Sequence, residues 1–355
     1  MALGKYTQIA GVIKPIVAEY TQIGGVIKQI TINALGIGGD IEQVPVGDKY
    51  IWAGEIDSDR MYGIDDNYSV LDGWPLYGAP VVDPMDVACD DEGNSYWACA
   101  ASGGKGVHKI ALDGSITWSD TGHVATVTAI CVDLDGNVYW GDAWGRVTML
   151  DSSGAVQWTK IPYGSGVYQV NALAIDYSAG QLYAAYGTGG AGRVYRFQIA
   201  LGNGAQVYTL AANILSISID EGTPSLYIGD EDGDIRKIST AGYVYWTQSK
   251  YGEIYTVRVG HDGFGYFANG SRGDVGKFTL ATGVNVWLDS PAGTSYGVAV
   301  DAFGNVYSTH GAYGSVNAVI RKNNSSGVEQ WTWQPYVNCE WRGIAVAPGI
   351  KSAGF

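Results

Sequence analysis

The stretch VDLDGNVYWGDAWGRVTMLDSSGAVQW, residues 132–158, decides the fold of this chain. Short runs rich in Val, Tyr, Trp and Thr alternate in it with Gly, Asn and Asp, the residues that tight turns require. LDGN and LDSSG mark two hairpin turns, where residues with positive φ are needed. The stretch therefore predicts several short antiparallel strands in succession.

The same pattern returns along most of the chain. Its first marker, an Asp or its equivalent just before a turn and a strand, recurs at Asp90, Asp133, Asp176, Asp220, Gly260 and Asp301. A spacing in the low forties is typical of one four-stranded propeller blade per repeat. Its second marker is a Trp that closes most units, at Trp74, Trp118, Trp158, Trp246, Trp287 and Trp331, with Tyr208 in its place in the fourth unit. The markers together indicate seven units.

The first unit has sequence for only three strands, in DKYIWAGE, DRMYGIDD and YSVLDGW. Its missing strand is expected near the other end of the chain, in CEWRGIAVAPG, residues 339–349. Closing the ring in this way removes exposed sheet edges between the first and last blades. The sequence therefore predicts an all-β fold, a seven-bladed β-propeller over residues 45–355 with three-plus-one strand closure by the C-terminus.

Units such as residues 132–158 resemble the blades of quinoprotein-dehydrogenase-like (PQQ-like) propellers, and the resemblance covers most of residues 45–350. In the enzymes of that family it implies pyrroloquinoline quinone, a Ca²⁺, a catalytic Asp and a pair of adjacent cysteines. No two of the four cysteines are neighbours in this sequence, and its seven units compare with eight blades in those enzymes. We therefore expect a non-enzymatic member without a cofactor.

Charge and hydropathy narrow the range of partners. The chain has 35 acidic and 21 basic residues and a net charge of −14, and such a surface repels the phosphates of nucleic acids. No apolar run reaches the ~20 residues that a membrane-spanning helix needs. Charged residues interrupt any secretory signal near the start. We expect no nucleic acid and no membrane among the partners.

The titratable residues form no recognisable catalytic or metal-binding pattern. The four histidines, His108, His123, His261 and His310, fall in different units, so a metal site would need a coincidence of the fold. Asp230, Asp232 and Asp234 alternate as in a calcium loop, but Gly stands at the fourth position instead of the sixth. An acidic hairpin turn is the better interpretation. For the cysteines we expect buried free thiols, with a disulfide between Cys89 and Cys99 as the alternative.

One face of the predicted propeller carries candidate ligand-binding residues. In each blade, the connection between the second and third strands shares a face with the connections between blades. On this face the sequence places Trp144, Arg146, Tyr163, Tyr186, Arg193, Tyr251, Arg272 and Tyr313. Exposed aromatic rings beside Arg suit sugar stacking or a protein interface. Packing of the tyrosines onto their own sheet rim is an equally good interpretation.

A separate, shorter repeat opens the chain. YTQIAGVIKPIVAE (residues 6–19) and YTQIGGVIKQITIN (residues 20–33) share nine of fourteen positions. The β-branched residues around glycines favour extended strands over a helix. We expect residues 1–44 to be an extended arm and linker that anchor the protein to partners by strand addition. The expected anchoring residues are Tyr6, Ile9, Val12, Ile13, Lys14, Tyr20, Ile23, Val26, Ile27 and Lys28.

A docking arm, a repeated β body and the lack of a catalytic set predict a structural or interaction protein, not an enzyme. The leading hypothesis is a bacteriophage virion component, a capsid decoration or tail-associated protein that displays its propeller for stabilisation or host-surface attachment. Its expected partners are other virion proteins, through the arm, and a cell-surface glycan. The alternative is a carbohydrate-binding lectin or a polysaccharide-acting enzyme that uses the aromatic face. The expected location is the virion, or else the cytoplasm or the extracellular space without a signal peptide.

Overall fold

The computed structural model of the chain describes residues 5–9, 12–23, 26–33, 49–55, 59–77, 83–90, 92–100, 106–121, 123–291, 293–311, 318–334 and 341–347. All regular elements in these ranges are β-strands. By proximity of Cα atoms the chain divides into two compact units, Met1–Gly47 and Asp48–Phe355. Each unit is described by itself below.

The N-terminal unit contains a three-stranded antiparallel sheet. Its strands, in spatial order, are β1 (Lys5–Ile9), β2 (Val12–Ile23) and β3 (Val26–Asn33). Ile9 pairs with Val12 and Ile23 pairs with Val26, so each copy of the 14-residue repeat provides one strand pair. The central strand β2 belongs to both copies. The prediction of strands is confirmed, but the side chains of the expected anchoring residues lie outside the description.

The second unit consists of four-stranded antiparallel sheets, the blades, numbered here along the chain. Blade 2 contains β7 (Pro84–Cys89), β8 (Ser95–Cys99), β9 (Gly106–Ile110) and β10 (Ile116–Thr121). Blade 3 contains β11 (Val127–Val132), β12 (Val138–Asp142), β13 (Val147–Leu150) and β14 (Val156–Lys160). Blade 4 contains β15 (Gln169–Asp176), β16 (Gln181–Thr188), β17 (Ala191–Gln198) and β18 (Gly204–Leu210). Blade 5 contains β19 (Ile214–Asp220), β20 (Ser225–Asp230), β21 (Asp234–Ser239) and β22 (Val244–Ser249). Blade 6 contains β23 (Ile254–Val259), β24 (Phe264–Asn269), β25 (Val275–Thr279) and β26 (Asn285–Asp289). Blade 7 contains β27 (Thr294–Val300), β28 (Val306–Gly311), β29 (Val319–Asn323) and β30 (Glu329–Trp333).

Blade 1 is assembled from both ends of the propeller sequence. Its strands, from the inside outwards, are β31 (Trp341–Ala347), β4 (Tyr50–Glu55), β5 (Arg60–Asp65) and β6 (Leu76–Tyr77). Because β31 pairs antiparallel with β4, the predicted three-plus-one closure is confirmed. Residues 68–74, where the outer strand was expected, contain only an isolated bridge at Val70. The carboxylate of Asp65 accepts the backbone N–H groups of Asn67 and Ser69, which folds the chain into a turn there.

The innermost strands close the ring. Each one contacts the innermost strand of the next blade, from β7 through β11, β15, β19, β23 and β27 to β31, which returns to β7. Apolar side chains fill the space between neighbouring blades. Between blades 1 and 2, for example, the rings of Trp52, Trp74 and Trp97 pack together. The seven blades confirm the predicted count.

The repeated Trp is an inter-blade latch. Its indole N–H donates to a backbone carbonyl in the turn between the third and fourth strands of the next blade. The distances from Nε1 to the carbonyl oxygen are 3.0 Å for Trp74 and Leu112, 3.2 Å for Trp118 and Ser152, 2.8 Å for Trp158 and Ile199, 3.3 Å for Trp246 and Leu280, and 3.2 Å for Trp287 and Ser325. Each latch thus combines a ring that is buried (Trp74) or partly buried (the other four) with a satisfied donor.

The repeated Asp holds the turn between the first and second strands. Oδ1 of Asp133 accepts the backbone N–H groups of Asp135 and Asn137, both at 2.9 Å. Its Oδ2 accepts the Asn137 amide and the hydroxyl of Tyr139, also at 2.9 Å. Asp90 makes the same four types of contact. The marker that revealed the repeat is therefore structural, and these carboxylates are fully used within their blades.

Candidate functional site

The propeller has two unlike faces. We call the face with the first-to-second and third-to-fourth turns of each blade the turn face. We call the opposite face, with the second-to-third connections and the connections between blades, the loop face. The first strand of every blade starts at the loop face and runs towards the turn face along the centre of the ring.

Every innermost strand is irregular near its start, at the loop face. In each blade, the pairing register between the first and second strands shifts at one place. From blade 2 to blade 7 these shifts lie between Pro84 and Asp86, Val127 and Ala129, Val170 and Ala172, Ile214 and Ser216, Ile254 and Thr256, and Ser295 and Gly297. In blade 1 the shift lies between Trp341 and Ile344. A bulge of this kind redirects a side chain that a regular ladder would place on the other face.

The bulged positions surround the centre of the ring. They are Met85, Thr128, Asn171, Leu215, Tyr255, Tyr296 and Arg342, and all of them line one cavity of about 230 Å³. We call this cavity the channel mouth. Each of the seven residues lies five positions before the marker of its repeat, counting Ala347 as the marker of blade 1. Their chemistry differs from blade to blade, although the scaffold that carries them is repeated.

The neutral polar side chains at the mouth are used to join neighbouring blades. Four of them donate a hydrogen bond to a backbone carbonyl oxygen of the next innermost strand. These bonds run from Thr128 Oγ1 to Val170 (2.5 Å), from Asn171 Nδ2 to Ile214 (2.7 Å), from Ser216 Oγ to Ile254 (3.2 Å) and from Thr256 Oγ1 to Tyr296 (2.8 Å). These four bonds fasten the innermost strands of neighbouring blades to one another.

Three charged residues line the mouth: Asp86, Arg258 and Arg342. The carboxylate of Asp86 accepts the backbone N–H groups of Val87 at 2.9 Å and Ile130 at 3.0 Å. Burial raises the pKa of Asp86 above its usual value, while Arg258 and these two donors act in the opposite direction. The charged side chains of the mouth sum to +1 when all three are ionised, in a chain whose total is −14.

An ordered stack of side chains fixes one side of the mouth. The rings of Tyr255 and Tyr296 lie 5.4 Å apart and 13° from parallel, and the Arg342 guanidinium lies 5.0 Å from the Tyr296 ring. Two glycines make room for the rings. A Cβ at Gly270 would come within 2.3 Å of Tyr255, and one at Gly311 within 2.5 Å of Tyr296.

Five of the sequence-predicted residues come together on blades 3 and 4. Trp144 is 41% exposed in the connection from β12 to β13, and its carbonyl accepts the N–H of Gly166 from the next inter-blade connection. Arg146 donates from Nε to Asp142 at 2.5 Å, and its guanidinium lies 5.9 Å from the Trp144 ring. This sector offers an aromatic surface with a cation beside it.

The other three of these five residues pack into a tyrosine cluster. Tyr163 lies edge-on to Tyr168 and Tyr186, both at 5.2 Å, and its hydroxyl donates to Gln206 at 2.9 Å. Arg193 lies 5.2 Å from the ring of Tyr168. Tyr186 is fully buried, which fits the alternative interpretation that the tyrosines pack onto the sheet. It belongs to the second strand, β16, where neighbouring sheets cover both faces, so it supports the loop face from beneath.

Tyr251 and Arg272 form a second sector, on blades 5 and 6. Tyr251 is 73% exposed, and the Arg272 side chain is 54% exposed with its Nε 3.3 Å from Asp274. The amide of Asn269 joins the two connections, since its Oδ1 accepts the Arg272 N–H at 3.1 Å and its Nδ2 donates to the Lys250 carbonyl at 2.9 Å. Tyr313 lies outside the described residues.

The acidic and thiol groups have structural settings. Asp230 accepts the N–H of Asp234 at 2.9 Å, and Arg236 forms ion pairs with both carboxylates, so the acidic hairpin turn is confirmed. Cys89, Cys99 and Cys131 form no disulfide with one another. Cys89 and Cys99 lie at opposite ends of the β7–β8 hairpin, which excludes a disulfide between them. Cys339 is outside the described residues.

The described histidines also lie apart. His310 is buried between two hydroxyls, with Nδ1 2.7 Å from Ser295 and Nε2 2.8 Å from Ser308. Burial, with a smaller effect of Arg321, lowers the pKa of His310 to about 3. Over the described part of the chain, no three His, Cys, Asp or Glu side chains are grouped to hold a metal. Nor does any described segment form a helix long and apolar enough to cross a bilayer.

No family model and no curated protein matches the chain. Among solved structures, a chain of the "Crystal Structure of Mitotic Checkpoint Complex" aligns with a TM-score of 0.59 and 16% identity, covering 72% of this chain and 80% of that one. A protein of unknown function from Bacteroides caccae aligns with a TM-score of 0.54 and 11% identity, covering 85% and 100%. At such identities the likeness shows the β-propeller fold alone, a common scaffold for protein interactions.

Proposed function

We propose that this protein is an interaction protein whose propeller presents the loop face to a partner. One observation carries the proposal. The polar groups of the repeat are consumed on the turn face, whereas the loop face bears side chains that differ between blades and include the exposed rings of Trp144 and Tyr251. Aromatic residues beside Arg are enriched in the central parts of protein interfaces.

We further propose that the protein is a component of a bacteriophage virion, anchored through its N-terminal unit. The duplicated segment folds as paired strands, and paired strands can accept or donate a further strand to a partner. Two equivalent hairpin units fit two equivalent grooves or a repeated contact in a lattice of subunits. The anchor and the displayed propeller would then be separate parts with separate roles.

Virion attachment is tested with three purified proteins: the full chain, residues 48–355, and residues 1–47 fused to a monomeric fluorescent protein. Each is mixed with phage particles that lack the endogenous copy and is sedimented. The full chain and the fusion should pellet with the particles, and residues 48–355 should remain in the supernatant while keeping the β-sheet circular dichroism of the full chain. Pelleting of residues 48–355 alone would remove the anchoring role.

A carbohydrate-binding function is the second candidate, favoured by the Trp144 ring beside Arg146. Exposed rings with a neighbouring polar group suit stacking on a sugar face. A glycan array is the measurement, with Trp144→Ala as the test variant. Tyr243→Ala is the matched control, because Tyr243 is 71% exposed on the turn face. Binding that survives Trp144→Ala, or is lost equally in both variants, would contradict this candidate.

A further inference from the structure

Arg258 stands out among the residues that line the centre of the ring. It lies two positions before the marker of its repeat, and the same position in the other blades holds a small residue. These are Ala88, Cys131, Ala174, Ser218, Ala299 and Ala345, and together with Arg258 they line a second cavity of about 350 Å³ below the channel mouth. One long cation therefore extends into space that six small side chains leave open.

Arg258 also has hydrogen-bonding capacity to spare. A guanidinium has five N–H donors. In the described part of the chain, the hydrogen bond of Arg258 is a long one, from Nη1 to the Val257 carbonyl at 3.3 Å. No carboxylate there lies within ion-pair distance of it. Because Thr128, Asn171, Ser216 and Thr256 already donate to backbone carbonyls across the ring, Arg258 is a main donor available to a ligand.

The surrounding charges limit the ligand further. Arg342 adds a second positive charge to the mouth, and Asp86 adds a negative one that already accepts two backbone N–H groups. A ligand with one negative charge complements this set. A dianion would bring a second negative charge close to Asp86, in a space where water screens charges less than in bulk solvent. The mouth, at about 230 Å³, lies below the range of pockets for drug-sized ligands.

We propose that the central channel binds a small organic monocarboxylate, with its carboxylate on the guanidinium of Arg258. The planar fork of Arg matches the two oxygens of a carboxylate. Arg258 lines both cavities, so the remainder of the ligand has room on either side of it. This site goes beyond the proposed function, because a partner can bind the loop-face aromatics without any ligand in the channel.

The test compares acids with their neutral amides on the full-length protein. Calorimetric titrations use acetate, propionate and benzoate beside acetamide, propionamide and benzamide, with sulfate as a dianion. We expect at least one acid to bind at least about tenfold more tightly than its amide, since hydrogen bonds between charged groups are stronger than those to a neutral amide. Equal binding of acid and amide, binding of none of the acids, or tighter binding of sulfate would overturn the proposal.

Variants place the site within the channel. Arg258→Gln should weaken the best acid at least about tenfold, whereas Arg272→Gln, a change at an exposed arginine of the loop face, should leave it unaltered. If Arg258→Gln does not fold, crystals of the unaltered protein soaked with 3-bromopropionate decide the matter through the anomalous signal of bromine. The proposal requires that signal inside the ring beside Arg258, and a signal only elsewhere would refute it.

Discussion

The turn face and the loop face are built from the same seven repeats, yet they use their polar residues in opposite ways. On the turn face, Asp133 and its equivalents each hold one turn, and the Trp latches fasten each blade to the next. On the loop face, the bulged position holds a different side chain in nearly every blade, from Met85 to Arg342. A repeated scaffold can therefore be stabilised at one end of its blades while the other end varies.

The difference has a physical cause. A carboxylate that accepts four hydrogen bonds is satisfied locally, so any blade can repeat the arrangement without regard to its neighbours. A bulged residue at the centre of the ring lines one cavity with six others, so its best identity depends on what the other blades place there. Repetition thus suits the turn face, and the loop face is free to vary from blade to blade.

The largest expected effect on stability comes from a substitution on the turn face. Asp133→Ala removes the acceptor of four hydrogen bonds in a nearly buried site and should lower the free energy of unfolding by about 2–4 kcal/mol. Asp232→Ala, at an exposed carboxylate, is the control and should change it by less than about 0.5 kcal/mol. Urea denaturation measures both, and equal losses would show that the Asp marker has no special role in stability.

The next largest effect is expected from acidification, which should remove the stability contributed by a loop-face residue before that contributed by a turn-face residue. His310, near the loop face, stays neutral when folded down to about pH 3, whereas in the unfolded chain it takes up a proton near pH 6.5. The unfolded state therefore binds more protons between these values, and stability falls as the pH falls below about 6.5. On the turn face, burial opposes the charge of Asp301, but Lys49 and Asn305 hold its pKa below the usual value, so its contribution is lost only at lower pH.

Urea denaturation at pH 7.5 and 4.5 tests this order. The loss due to His310 should reach about 3 kcal/mol at pH 4.5. His310→Gln lacks this titration, so the difference in stability between the two proteins should shrink by that amount on acidification. A difference that does not depend on pH would mean that His310 is not held neutral by the fold.

A smaller effect concerns the latches. Trp158→Phe keeps most of the ring but removes the 2.8 Å hydrogen bond to Ile199, which should cost about 1 kcal/mol of unfolding free energy. Trp331 is a natural comparison, because its buried Nε1 has no hydrogen-bond partner among the described residues. Trp331→Phe removes an unsatisfied donor and should be close to neutral or stabilising. Thermal and urea unfolding of both variants measure these changes in unfolding free energy. A larger loss of stability for Trp331→Phe than for Trp158→Phe would contradict the role of the latch hydrogen bond.

The smallest effect on stability is expected on the loop face. Tyr251→Ala removes a ring that is 73% exposed and should change the unfolding free energy by less than about 0.5 kcal/mol. If this face binds the partner, the same variant should weaken partner binding measurably in a pull-down. A variant that destabilises the fold by 2 kcal/mol or more (about a quarter of a typical total) would place Tyr251 in the packing of the ring.

The candidate site was only partly predictable. The order of strands in a blade is enough to place Trp144 and Tyr251 on the loop face, and both are exposed there. The same rule placed Tyr186 on that face too, but its ring is buried, because a pattern of strand and turn does not show how deeply a neighbouring blade covers a residue. The bulged residues went unnoticed, although their constant place five positions before each marker was a usable signal.

By itself the sequence determined the number of blades, their hairpin turns and the strand that closes the ring. These features depend on local turn chemistry and on a period of about forty residues, both of which can be read along the chain. Only the tertiary structure decided which side chains face the channel. A bulge shifts the alternation of a strand by one residue, and the neighbours of Arg258 come from seven separate repeats that meet only when the ring closes.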